Sequence, residues 1–351
     1  MKKSTMKLIS AIISTGLIVS TIGATIAGAA NANVKLVDNR YTNQHSWEIM
    51  AYYPVTGTEK STYDTQRYEP ELYVNAVKAV NYYNSLGFTY NNYVTFYNTG
   101  TMEFNKYKTN TVYISRTKDD GTTSISNMKG NANSAYGLIT IGPVDKSYMT
   151  DMSCAQDVIA HEYVHLITQQ LAGWDAAFRM RSVETGAIVE AYSDVLGELS
   201  EINPDWKMGT DLFKNNPKGE KCYRNMKDPS ETKKPISASS IADRKFYSTY
   251  DELKAAYPLT TNDETIYAAS TVISHAGYLM STTGMKKEFV AELWLDSISL
   301  YPKNRDLTFS DCRAALIQAA NNYADKNRYS YTNRNELLKR VNWSFDRVNI
   351  H

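Results

Sequence analysis

Downstream of residue 70, the apolar residues of this 351-residue chain recur mostly at helical spacing. Between Glu71 and Leu86 the positions Leu72, Val74, Ala76, Val77, Ala79, Val80 and Tyr83 keep a period of about 3.6, and Gly87 halts it. Upstream, residues 33 to 70 mix polar and aromatic side chains with turn formers such as Pro54 and Gly57, the pattern of short strands and loops. Strand chemistry returns between 88 and 145, in Tyr93–Tyr97, Thr111–Ser115 and Leu138–Ile141. From Ala155 to Leu171 the residues Val158, Ile159, Leu166 and Ile167 mark the core side of a helix. A second helix is predicted from about Thr185 to Ile202, where Asn203-Pro204 stops it. A polar region without clear period spans 203–262, and helices are predicted at 265–282, 286–299, 309–325 and 334–341. The sum is an α+β architecture: a β-rich N-terminal lobe (33–172) ending in the central helix, an α-helical C-terminal lobe (173–351), and a cleft between them.

Ahead of both lobes, Lys2, Lys3 and Lys7 precede an apolar run from Leu8 to Ala27. Small residues then offer cleavage at Ala27-Gly28-Ala29 or Ala30-Asn31-Ala32, so residues 1–32 are read as a signal peptide. A membrane anchor is the competing reading; the Ser, Thr and Gly content of the run and its small-residue end speak against it. The expected product is secreted, extracellular and free of the membrane after signal cleavage. Acids and bases nearly balance, 37 against 38, and no basic tract occurs, so charge gives no support for nucleic acid or a membrane surface as partner. A monomer is expected. Three cysteines (Cys154, Cys222, Cys312) make no disulfide framework and leave at most one pair. The 27 tyrosines suit an exposed, hydrogen-bonding surface.

The chemistry concentrates in His161-Glu162-Tyr163-Val164-His165. Two imidazoles four positions apart on a helix lie one turn above each other and can face one ion, with Glu162 beside it, the arrangement of a zinc hydrolase. Catalytic zinc takes three protein ligands and keeps a fourth position for water, so a partner is needed. His45, His275 and His351 lie far along the chain, and Glu184 and Glu190 compete for the place. Glu184 comes nineteen residues after His165, the spacing of zinc aminopeptidases, which favours it. Glu190 has the better context, because Asp194 follows one turn later on the same helical face and can take the second ring N–H of a ligand histidine.

Thr185-Gly-Ala-Ile-Val-Glu-Ala-Tyr-Ser-Asp194 resembles the G-A-x-N-E-A-x-S-D pattern that follows the metal helix in the thermolysin family of zinc endopeptidases, the bacillolysins and neutral proteases. Asn133-Ser-Ala-Tyr resembles that family's N-N-A-F edge strand, Asn203-Pro-Asp-Trp-Lys-Met-Gly its N-P-D-W-x-x-G loop, and Tyr223-Arg-Asn-Met-Lys-Asp-Pro229 its L-R-S-M-x-D-P segment. Thr308-Phe-Ser-Asp-Cys-Arg-Ala-Ala-Leu resembles a C-terminal core helix. The resemblance covers roughly residues 70 to 345 and is densest from 155 to 230.

It implies a thermolysin-like two-lobed fold that hydrolyses peptide or protein substrates, with zinc on His161, His165 and Glu190. Glu162 is then the general base, Asp194 supports His161, and Arg224 binds a substrate carbonyl. Asn133 and Ala135 would pair with the substrate backbone, and Val158, Leu212 and Tyr223 would surround the residue after the cleaved bond. Calcium is implied at Asp157, Glu201 and Asp205, one ion at most, since Lys207 and Thr210 stand where the family loop has further acids.

Three departures bear on activity. Tyr267 stands where the family has its transition-state histidine, Asn262 where it has the supporting Asp, and Val189 where it has Asn before the third ligand. A phenol can still donate to a developing oxyanion, which makes Tyr267 a catalytic candidate; His275, eight residues on, is the alternative. Nothing resembling the family's long propeptide lies between the cleavage site and the catalytic region. Two other classes stay open: a catalytically impaired zinc-fold binding protein, and an aminopeptidase-type zinc hydrolase.

Overall fold

The structure, a computed structural model, describes residues 34–39, 51–52, 69–98, 103–117, 132–135, 137–142, 144, 149–213, 221–232, 246–256, 261, 263–303 and 305–351. The predicted signal peptide, Pro54, Gly57, His45 and Asn262 lie outside them. The N-terminal lobe holds a five-stranded sheet in the order β2 (Ala51–Tyr52), β1 (Val34–Asn39), β5 (Val112–Thr117), β7 (Leu138–Ile141), β6 (Ala132–Ala135). Strands β1, β5 and β7 run parallel, and β2 and β6 close the two edges antiparallel to their neighbours. A separate hairpin pairs β3 (Asn92–Asn98) with β4 (Glu103–Thr109). All four residues of β7 are buried, as expected of a strand covered on both faces. Helix α1 (Glu69–Ser85) ends before Gly87, whose φ of 84° suits a residue without a Cβ.

Two buried helices form the middle of the molecule. Helix α2 (Gln156–Ala172) stops at Gly173, a left-handed C-terminal residue with φ 73°, and α4 (Val183–Leu199) starts at Ser182, whose side chain accepts from Thr185 N. The two run against each other at Gly197, where an added Cβ would meet the Asp157 carbonyl at 3.0 Å and the His161 amide nitrogen at 3.3 Å. On its other side α4 packs on α6 (Asp263–Ser281), where a Cβ at Gly277 would fall 2.5 Å from Val195 Cγ2. Only small residues allow approaches this close. Helices α7 (Lys287–Ser297), α8 (Phe309–Lys326) and α9 (Tyr331–Asp346) complete the helical lobe, and a capping box of Thr308 with Asp311 starts α8. Among the described residues no helix is long and apolar enough to cross a membrane.

Two short helices fall where the sequence shows no period: α3 (Ala176–Arg179) between the metal helices and α5 (Tyr250–Ala256) in the polar region. Elements of four and seven residues are too short to establish a repeat. The tyrosine expectation needs correcting too. Tyr83, Tyr163, Tyr192 and Tyr301 are core residues. Tyr192 shares hydrogen bonds with Ser297 at 2.5 Å and Tyr301 at 3.0 Å, and Tyr83 donates to the Leu196 carbonyl at 2.8 Å, so the phenols tie helices together inside. All three cysteines are free.

Candidate metal centre

His161 and His165 stand on the face of α2 that meets α4, and the Gly197 contact draws the helices close enough for side chains to interdigitate. Their Nε2 atoms are 3.1 Å apart. Glu190, from α4, brings Oε2 to 3.4 Å from His161 Nε2 and Oε1 to 3.8 Å from His165 Nε2. Among the described residues, these three form the only group of metal-ligating side chains whose ligand atoms lie within 4.8 Å of one another. Glu184 is elsewhere: its carboxylate accepts from the Tyr250 hydroxyl and, at 2.6 Å, from Phe309 N, which ties three helices together. That answers the competition between the two acids by distance.

Each imidazole is anchored through its other nitrogen. His161 Nδ1 is 2.9 Å from Asp194 Oδ1, and His165 Nδ1 is 3.1 Å from Ser193 Oγ, whose own proton goes to the Val189 carbonyl. Those partners suit a ring proton on each Nδ1, the tautomer that would leave Nε2 to a metal ion. Asp194 is itself held by Arg224, which donates from Nε at 2.8 Å and from Nη2 at 2.6 Å. This bidentate pair, deep in the protein, overcomes the burial penalty and keeps Asp194 below its ordinary range.

The pocket is electrostatically primed for a positive charge. Burial disfavours a charged His161, yet Asp194 and Glu190 lift its pKa to about 9. His165, with less negative charge beside it, is pushed by burial to about 3. Glu190 resists burial because His165, His161 and the Arg179 guanidinium hold it well below its usual value. The Glu162 Oε2 accepts from Ser134 Oγ of β6 at 3.0 Å; burial raises this acid to about 7 against the pull of His161.

These groups open into a cleft of about 570 Å³ lined by the β3–β4 hairpin and β6 and by α2, α3, α4 and α6. Asn133, Ser134, Glu162, Glu190 and Tyr267 all line it. For Ala135 only the backbone is described; it pairs with Leu138. Tyr267 lies between two guanidinium groups, with Arg179 5.2 Å and Arg224 5.1 Å from its ring centre, and the nearby Glu190 charge followed by burial raises its phenol further above neutrality.

Several expected residues are placed differently. Arg224 is turned toward Asp194 and does not line the cleft. Val158 and Leu212 are buried in the core, and Tyr223 packs edge-on against Phe213 at 5.2 Å; none of the three lines the cavity. His275 directs Nδ1 to the Met226 carbonyl at 2.7 Å, away from the cleft.

The acids assigned to calcium lie near one another: the Asp205 charge adds to burial in raising Asp157, and Asp157 and Asp205 together add to burial in raising Glu201. Asp157 spends one oxygen on Val158 N at 2.8 Å and the other on Gly209 N, while Asp205 accepts from Lys207 N at 2.8 Å.

Arg179, Ser134 and Ser193 are site residues that the sequence did not single out. The one local signal for Arg179 is Asp175, which caps α3 by accepting from Phe178 N at 2.8 Å.

Comparison with known proteins places this geometry among relatives. The profile of the thermolysin metallopeptidase alpha-helical domain matches residues 180–350. Over 208 residues the chain is 28% identical to a bacillolysin from Bacillus caldolyticus and to a thermolysin from Alicyclobacillus acidocaldarius subsp. acidocaldarius, covering 56% of this chain and 33% of each relative. Neutral protease B of Bacillus subtilis (strain 168) is 25% identical over 189 residues, 51% of this chain and 31% of that protein. The chain thus spans about a third of the length of the curated relatives it matches. Among solved structures, the precursor of protealysin, a metalloproteinase from Serratia proteamaculans, shares the fold with a TM-score of 0.65 at 16% identity, over 92% of this chain and 88% of that one.

Proposed function

We propose that this chain, a member of the thermolysin metallopeptidase family by its helical domain, is a secreted zinc-dependent endopeptidase. The observation that carries the reading is the meeting of three ligand atoms from α2 and α4 beside a buried acid, at the floor of a cleft.

The residues fit zinc. Glu190 Oε2 is a buried oxygen without a hydrogen-bond partner, and it stands beside two imidazole Nε2 atoms 3.1 Å apart, a donor set of the kind that holds zinc. His161, His165 and Glu190 would hold the zinc, which when bound would supply Lewis-acid chemistry and a water of pKa about 7. Glu162 then accepts the proton of the attacking water and delivers it to the leaving amine, with Ser134 fixing the carboxylate's position. Strand β6 is the last strand of its sheet, so its outer backbone edge is available to an extended peptide, and Asn133 lies along it. Tyr267, protonated at neutral pH, adds a hydrogen-bond donor to the cleft. Export rests on the basic, apolar and small-residue order of residues 1–32.

Two measurements test the reading. Cleavage of a quenched peptide library by Glu162→Ala should fall by about 10²–10⁴ relative to wild type; equal turnover from both proteins leaves the peptidase claim dead. Metal analysis should find zinc lost from Glu190→Gln and kept by Glu184→Gln, and the reverse result would move the site.

A further inference from the structure

Arg179 has no part in the reaction as described, yet it lines the same cleft as Glu162 and is bonded to Glu190. It is the last residue of α3, and its guanidinium is held from three directions. Nε donates to Glu190 Oε1, Nη1 donates to Asp263 Oδ1 at 2.7 Å, and the plane lies 5.2 Å from the Tyr267 ring centre. A guanidinium carries five N–H groups. The two carboxylates occupy one on Nε and one on Nη1, and Nη2 is taken up by no described residue.

We propose that Arg179 is a catalytic residue of this site, donating to the oxygen that becomes negative when the peptide carbonyl is attacked. The inference rests on the zinc-peptidase reading above. In the step, water oxygen bonds to the carbonyl carbon, its proton passes to Glu162, and the carbonyl electron pair moves onto oxygen. When the C–N bond breaks, that pair returns to the carbonyl and the Glu162 proton leaves with the amine. Atoms and charge balance, and the negative oxygen exists only between the two events. Glu162 is held by Ser134 and takes the proton, while Arg179, bonded to Glu190, is the arginine that lines the same cleft.

Arg179 is suited to this by its pre-set position. A cation already fixed by Glu190, Asp263 and Tyr267 needs no rearrangement when charge develops, the condition under which such donors are most effective. A charged donor makes a hydrogen bond roughly twice as strong as a neutral one, which ranks the guanidinium above the Tyr267 phenol. Tyr267 then acts mainly as the surface on which Arg179 is laid.

The test compares zinc-loaded wild type with Arg179→Gln, Arg179→Lys and Tyr267→Phe, measuring metal content, turnover of a quenched peptide, and inhibition by a phosphonamidate dipeptide, a tetrahedral anion. Arg179→Gln should keep its zinc, lose about 10²–10³ in kcat and about 10² in inhibitor affinity, and hold KM within about threefold. Arg179→Lys should regain part of the inhibitor affinity, and Tyr267→Phe should lose less than Arg179→Gln on both measures. A zinc-replete Arg179→Gln protein with near-normal kcat and inhibitor affinity overturns the proposal, and so does one that raises KM alone. Loss of zinc from Arg179→Gln also overturns it, by assigning the residue to holding Glu190. A wild type that binds no zinc defeats the peptidase reading itself, and metal analysis tells that failure from the others.

Discussion

Helices α2 and α4 bury acids at both ends of their contact, and the two ends treat them in opposite ways. At one end, Glu190 and Asp194 are kept ionised, since Arg179, Arg224 and His161 supply positive charge beside them. At the other, Asp157, Glu198 and Glu201 meet mainly backbone amides and each other. Burial raises Asp157 to about 6, and burial with the neighbouring carboxylates raises Glu201 to about 8 and Glu198 well above its ordinary value. Glu198 takes one bond, from Trp206 N at 2.8 Å, and its other oxygen has no partner. The difference is supplied from outside the helices, by a guanidinium from α3 and another from β8 (Arg224–Asn225). Buried carboxylates on a helix face therefore become functional anions only where a flanking segment brings a counter-charge.

Removing such a counter-charge should have the largest effect. Arg224→Met would leave Asp194, fully buried, with only His161 and Ser274, and should cost about 3–5 kcal/mol in urea unfolding. A cost under about 1 kcal/mol would mean the paired end owes little to its pairing.

The join between the two ends comes next. Gly197→Ala sets a Cβ 3.0 Å from the Asp157 carbonyl and beside His161, so it should push α2 and α4 apart, cost about 1–3 kcal/mol and weaken zinc retention in a chelator competition. Unchanged zinc retention would separate the helix spacing from the metal geometry.

The smallest expected change is a gain. Glu201 has a folded pKa of about 8 against 4.5 for the unperturbed group, so its contribution to stability is complete below the lower value and is lost as pH rises through the higher. Glu201→Gln should therefore raise the melting midpoint at pH 8.5 by about 2–4 °C for each kcal/mol recovered, with little change at pH 4.5. A drop at pH 8.5 would show that the ionised carboxylate is compensated after all.

Much of the fold was legible because its signals are local. A seventeen-residue helix repeats its apolar face several times, so α2, α4 and the C-terminal helices could be read with ends off by only a few residues. The His161–His165 spacing fixes a shared direction within one turn, and Glu190 with Asp194 does the same on the next helix. What could not be read depends on which loop returns to the cleft. Ser134 reaches Glu162 from a strand 28 positions away, and Arg224 reaches Asp194 across 30. Arg179 acts from a four-residue helix that has no period of its own.

By itself the sequence determined the helix pair, the three metal-facing side chains and the acid beside them, because periodicity is a property of a single element. Only the tertiary structure decided which acids stay charged and which arginine enters the cleft. Burial and counter-charge belong to the space between elements, and a linear pattern does not encode that distance.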